Sequence, residues 1–307
     1  MSVIQQTAHD ACSRKVHCVS KGYLEDPFVH FFSRDTTIMN SPLMNRGTWL
    51  RTTAIENCVV HFSSLHGGAP IQILSLGSGV DTLFFKLASR SRVALASYVE
   101  VDFPDLVKEK REIVEKHQEL SNLAQPDKFY LLSGNLERGE DIVQLLDGPL
   151  RRDVPTIIIA ECVFVYLDSS KAQALLSILL RDFFGVGGDA RSVMFVEYDP
   201  IEPSDRFGAV MVSNLKERGI DLKGLFGAPT LHALTQRCIS SGFSSVRAAT
   251  MRQLYLSVPR DVQLRLNKIE MIDDWDEWNL VHDHYAFVIA WTGGGGDAES
   301  IPPPFPS

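Results

Sequence analysis

The chain has 307 residues, 45% of them hydrophobic and 22% charged, with 30 basic against 38 acidic side chains and a formal net charge of −8. That length holds one large α/β domain or two small ones, and the composition is that of an ordinary globular protein. The acidic balance argues against a nucleic-acid partner, which asks for a basic face, and no apolar run reaches membrane-spanning length.

The first 50 residues are not a strand–helix repeat. A helix is expected from about Asp10 to Ser20, broken by Gly22 and Pro27, and Tyr23, Phe28, Phe31 and Phe32 form an aromatic cluster that must pack on something. The segment reads as a lid over a sheet edge or as an ordinary flanking helix pair. A second helix is expected over 45–65, capped by Asn45 or Thr48, with Leu50, Ala54, Ile55, Cys58, Val59 and Phe62 at helical spacing. Arg51, just inside its start, is either a bidentate fork for a carboxylate or a surface arginine.

The stretch IQILSLGSGVD, 71–81, organises the rest. Its apolar run fits a strand buried on both faces of a parallel sheet. Gly77 and Gly79 allow close approach to a ligand, and TLFFKLAS then starts a helix. A strand, a glycine turn and a helix N-terminus together make a ligand site at the carboxyl end of a sheet. The next strand, SYVEVD, ends in Asp102, an acid placed to accept hydrogen bonds from a ribose diol. Asp81-Thr82 stands where a third glycine would complete a dinucleotide fingerprint. The turn therefore suits a nucleotide or S-adenosylmethionine, which has no pyrophosphate to place.

Further on, FPDLVKEKREIVEKHQEL reads as an amphipathic helix, and a third strand over 128–134 ends at Asn135-Leu136. A fourth, TIIIAECVFVYL over 156–167, is apolar except at Glu161. A carboxylate at the end of a central strand is costly to bury without partners, so Glu161 either touches a ligand or is a capped or salt-bridged acid. Asp168 or Ser169 caps the helix that ends at Gly185, a fifth strand spans 191–200, and Asp205 caps another helix. An edge strand is expected in SSVRAAT, one long helix from Arg260 to Tyr285, and a last strand over 284–292. His282 and His284 near it either sit by the pocket or are packing or surface residues. Residues 293–307, GGGGDAESIPPPFPS, have no packing pattern and should be a disordered tail. Six or seven strands alternating with helices make one doubly wound, mostly parallel sheet. The five scattered cysteines point to reduced thiols in the cytosol or nucleus, with a cytoplasmic protein expected, and show no metal-ligand spacing.

Several of these motifs occur together in a known family. NRGTWLR, LGSGVDT, VEVDFP, IIAECVFVYL, YDPI followed by DRFG and SNLKERG, and HY before the last strand cover nearly the whole chain in order. The chain thereby resembles the leucine carboxyl methyltransferases, which methylate the C-terminal leucine carboxylate of the protein phosphatase 2A catalytic subunit. The resemblance implies a class I S-adenosylmethionine-dependent methyltransferase fold. It divides the chain into an N-terminal helical lid (1–65), a Rossmann-like core (66–292) and the tail. It also implies S-adenosyl-L-methionine as cofactor, the phosphatase subunit as partner, no nucleic acid or membrane, and a monomer. The length leaves no room for the propeller carried by the family's tRNA-modifying relative. Residue by residue, it puts Lys15 and Arg51 in the cofactor and carboxylate pocket, Gly77 beside the methionine part of the cofactor and Asp102 on the ribose. Asn135 and Leu136 would flank the adenine, Glu161 would bind cofactor and Tyr166 would be a pocket aromatic. Lys15, Arg51 and Tyr166 are the residues it implies for catalysis. Asn135 stands where the family usually has Asp. A small-molecule or RNA carboxylate is the alternative acceptor within the same family.

Overall fold

The computed structural model describes residues 2–185, 192–292 and 303–305. Seven strands, β1 (Ile71–Leu76), β2 (Leu95–Asp102), β3 (Phe129–Ser133), β4 (Thr156–Glu161), β5 (Val193–Pro200), β6 (Ser245–Thr250) and β7 (Tyr285–Trp291), form one sheet in the order β3-β2-β1-β4-β5-β7-β6. The first five are parallel, and β7 runs antiparallel to both β5 and β6. The strand order reverses between β1 and β4, the place where open α/β sheets bind ligands at their carboxyl ends.

Alternation along the strands sends successive side chains to opposite faces. Ile71, Ile73, Ile157, Ile159, Met194 and Val196 pack on one side, under α1 (Val3–Ser20), α3 (Pro42–Leu65) and α4 (Leu83–Arg90). Leu74, Leu76, Ile158, Ala160, Val193 and Phe195 pack on the other, under α7 (Gly139–Leu146), α8 (Ser169–Ile178) and α10 (Leu231–Ser241). Shorter or flanking helices are α2 (Val29–Phe32), α5 (Pro104–Lys116), α6 (Gln118–Leu123), α9 (Arg206–Glu217) and α11 (Met251–Leu256). The same parity places Glu161 and Tyr198 on the α3 side and Glu197 and Asp199 on the α10 side, where Arg237 meets Glu197 in a buried ion pair.

Several boundaries differ from the sequence expectation. α1 starts at Val3, because Ser2 and Gln5 form a capping box. α3 starts at Pro42 rather than Asn45: Ser41 is its cap, accepting from the Met44 N–H at 3.3 Å, and Pro42 fills a first-turn position that needs no N–H. β4 ends at Glu161, and residues 164–166 form a 3₁₀ turn instead of continuing the strand. The expected long helix after Arg260 is two, α12 (Arg260–Ile269) and α13 (Trp275–Asp283), since Asp274 caps a new start by accepting from the Asp276 and Glu277 N–H groups. The aromatic cluster does not roof the carboxyl edge. Phe28 and Phe32 pack on Phe85 of α4, at ring-centroid distances of 5.9 and 5.6 Å. Of the tail expected to lack packing, 293–302 and 306–307 lie outside the described residues. Phe305, however, is buried against Trp49, and the Pro304 carbonyl accepts from Asn57 at 2.8 Å.

Candidate active site

β1 delivers the chain to the switch point, and Gly77 and Gly79 turn it there with φ of +61° and +54°. Both positions are also sterically closed. A Cβ on Gly77 would come within 2.7 Å of Val163, and one on Gly79 within 2.8 Å of the Ala8 methyl of α1. The N-terminal helix thus rests directly on the glycine turn. Across the turn, Asp102 ends β2 and accepts the Gly79 N–H at 2.6 Å and the Phe103 N–H at 2.7 Å. Burial pushes its carboxyl pKa up, against the pull of those two donors. A carboxylate offers about four lone-pair directions, so capacity for a ribose diol remains after two are used.

Two cations, Lys15 buried and Arg51 half-buried, border the same space with different partners. The Lys15 ammonium donates to Asp81 at 3.0 Å and Thr82 at 2.7 Å and pairs with Asp26 at 2.9 Å. An ammonium has three donors, and all three are engaged. Burial opposes the Lys15 charge, but the two carboxylates outweigh it and raise the pKa, while Asp81 is held well below the usual carboxylate range. Arg51 of α3 pairs through Nε with Glu161 at 2.6 Å and lies over the Tyr198 ring at 5.3 Å. Burial pushes the Glu161 carboxyl up and the adjacent guanidinium pulls it back. Glu161 is thus both the salt-bridged acid and the cavity-facing acid that its sequence position allowed.

Beyond Glu161 the backbone turns sharply. Cys162 takes φ +52°, rare outside glycine, and its N–H donates to the Tyr198 carbonyl at 2.7 Å. The buried Asp199 accepts the Val165 N–H at 3.1 Å and fixes the 3₁₀ turn that presents Tyr166. Strain at one residue re-aims the chain from the sheet into the site.

A cavity of about 400 Å³ lies between α1, α3 and the carboxyl ends of β1, β2 and β4. Small-molecule sites span roughly 300–1,000 Å³. All eight residues singled out in the sequence line it: Lys15, Arg51, Gly77, Asp102, Asn135, Leu136, Glu161 and Tyr166. Leu136 is buried, while Asn135 also borders a second, more open hollow beside Phe103 and Arg138. The Asn135 side chain is exposed, and its oxygen already accepts the Glu137 N–H at 3.0 Å. Sequence reasoning missed Asp26 and Thr82, which hold Lys15, and Ala8 and Lys223, which also line the cavity. Asp81-Thr82 was legible only as the place of an absent glycine. His282 and His284 lie elsewhere: the first stacks on Trp278 at 3.6 Å, and the second bridges to Asp205 at 2.9 Å.

The sequence model of the family described as leucine carboxyl methyltransferase matches residues 3–179. The chain belongs to that family. Leucine carboxyl methyltransferase 1 homolog of Arabidopsis thaliana is 30% identical to it, over 94% of this chain and 89% of the relative. Leucine carboxyl methyltransferase 1 of Schizosaccharomyces pombe is 31% identical, over 94% of each. The tRNA wybutosine-synthesizing protein 4 of Homo sapiens is also 30% identical, over 99% of this chain but 46% of its own length. Among solved structures, a DUF574-family protein from Streptomyces avermitilis superposes with a TM-score of 0.55 at 12% identity, covering 81% of this chain and 85% of its own. That likeness concerns the fold, a class I methyltransferase sheet. Leucine carboxyl methyltransferases take their methyl group from S-adenosyl-L-methionine. The glycine cradle and the buried acid at the end of β2 suit that donor. Among the described residues no helix is long and apolar enough to cross a membrane, and no cluster of three or more metal-ligating side chains occurs.

Proposed function

We propose that the protein transfers the methyl group of S-adenosyl-L-methionine to the α-carboxylate of the C-terminal leucine of the protein phosphatase 2A catalytic subunit. The product is a methyl ester that regulates holoenzyme assembly, and the enzyme acts as a cytoplasmic monomer. One observation carries the reading. A single cavity at the β1/β4 switch point gathers the glycine turn, Asp102 and the Arg51–Glu161 pair, within a chain of this family. Gly77 would border the methionine part of the donor, Asp102 its ribose, and Asn135 and Leu136 its adenine. Glu161 would face its charged end.

When bound, the donor supplies a methyl group activated by a positively charged sulfur. A terminal α-carboxyl group has a pKa of roughly 3.5 and is ionised at pH 7, so the nucleophile needs no general base. The cavity fits this, since no histidine is among its lining residues. What the chain's own residues contribute is placement and exclusion of water. Charge is lost as the anion meets the sulfonium. A strong pair on the attacking oxygen would then hold the ground state more than the transition state. Arg51, already fixed along its Nε edge by Glu161, is suited to hold the other oxygen.

The test is transfer of a labelled methyl group to the intact phosphatase catalytic subunit and to the same subunit lacking its terminal leucine. Base-labile label on the intact subunit alone is the expected result. Label on neither, with cofactor binding seen by calorimetry, would move the acceptor elsewhere.

A further inference from the structure

The cavity has three lining cations, Lys15, Arg51 and Lys223. Asp26, Asp81 and Thr82 occupy Lys15, and Glu161 occupies Arg51. Lys223 differs: it is solvent-exposed, and no ion pair or hydrogen bond engages its side chain among the described residues. The same lining carries four carboxylates, Asp81, Asp102, Glu137 and Glu161. One net negative charge remains, which complements a donor of net charge +1. The second substrate is an anion. Of the three lining cations, Lys223 alone has no carboxylate partner among the described residues, whereas Arg51 offers only the part of its guanidinium that Glu161 leaves.

Lys223 is also held in place. Its loop, 218–230, joins α9 (Arg206–Glu217) to α10 and is pinned at both ends. Arg218 pairs with Asp10 of α1 at 3.0 Å, and Gly219 sits beside Val3. The Gly224 N–H donates to the Val165 carbonyl at 2.9 Å, on the turn that presents Tyr166. A Cβ on Gly224 would overlap the Phe164 carbonyl oxygen, and one on Gly227 would overlap Ser169. Two glycines therefore let this loop lie close on the 3₁₀ turn and the start of α8, and Lys223, immediately before the first of them, lines the cavity. An exposed lysine on a free loop would cost entropy to position. Here the backbone that carries it is already fixed.

We propose that Lys223 is the acceptor-seating residue: it pairs with a carboxylate of the leucine-terminated substrate as that substrate enters the cavity. This rests on the leucine carboxyl methyltransferase reading. The carboxylate has two sources, the terminal α-carboxylate or an acidic side chain shortly before it.

The test compares wild type, Lys223→Met and Lys223→Arg in steady-state methyl transfer. The acceptors are the intact phosphatase catalytic subunit and a version whose acidic residues near the C-terminus are changed to amides. A charge-assisted contact is worth about a tenfold change in affinity. Lys223→Met is therefore expected to raise the acceptor KM about tenfold, with kcat and the KM for S-adenosylmethionine unchanged, and Lys223→Arg to restore most of the loss. If the partner is an upstream acid, the amide acceptor erases the difference between wild type and Lys223→Met. If it is the terminal carboxylate, the difference persists. An acceptor KM unchanged by Lys223→Met, with wild type active, overturns this inference alone. No transfer by wild type overturns the functional reading and this inference with it.

Discussion

Lys15 and Arg51 look alike in the sequence and differ in the structure, where the partners decide. Lys15 spends its three donors on Asp26, Asp81 and Thr82 and has none left for a substrate. Replacing it, as in Lys15→Met, strands the fully buried Asp26 and the third-exposed Asp81 without their cation. Breaking a buried pair costs roughly 3–5 kcal/mol, and the exposure of Asp81 favours the lower end. The expected outcome is a melting temperature lower by several degrees, with kcat measured below the transition changed less than about twofold. Arg51→Ala should behave the other way, raising the acceptor KM and lowering kcat/KM by at least about tenfold, with partial recovery in Arg51→Lys. Unchanged kinetics in Arg51→Ala would sink the proposed role. Asp102 and Glu161 stood out because an acid at the end of a buried strand is unusual, whereas Arg51 read equally well as a surface arginine and was singled out only by the family resemblance. The Lys15 network was not, because Asp81 and Thr82 lie 66 and 67 residues away along the chain. Local pattern holds no record of such a pairing.

At the scale of elements, the sheet and its helices followed from apolar runs, glycines and caps, while the ends of elements depended on tertiary partners. β4 stops at Glu161 although the apolar pattern continues, because Asp199 on β5 claims the Val165 N–H and Tyr198 takes that of Cys162. The N-terminal segment forms one wall of the cavity. α1 contributes residues from Ile4 to Lys15, whereas none of the four aromatics lines the cavity and only their neighbour Val29 does. Contact between α1 and the glycine turn makes a prediction. Gly79→Ala places a methyl at φ +54° and against Ala8, costing about 1–3 kcal/mol. It should weaken cofactor binding by calorimetry as α1 lifts from the turn. Adding Ala8→Gly removes the collision but not the backbone strain, so the double variant should recover part of the affinity. No recovery would mean that contact with α1 does not shape the site.

On the scale of the whole molecule, stability is tied to pH through a histidine remote from the cavity. His282 is buried, stacks on Trp278, donates to the Trp278 carbonyl at 2.9 Å and fits against Gly47 of α3. Burial lowers its pKa to about 4, from an ordinary value of 6.5. The unfolded chain therefore binds this proton first, and stability falls as pH drops from 6.5 toward 4, by up to about 3 kcal/mol. Chemical denaturation across that window should show the decline, and His282→Gln should flatten it. Such long-range coupling is invisible in sequence, as is the place where the last strand enters. β7 lies between β5 and β6, hydrogen-bonded to both. During synthesis β5 therefore waits with an unpaired, apolar edge while roughly 85 further residues emerge, several seconds or more at about 5–20 residues per second. Through that interval the nascent protein presents a strand edge able to pair with any other chain. A premature stop before Tyr285 would leave that sheet permanently open, and such fragments should need chaperone capture or be degraded.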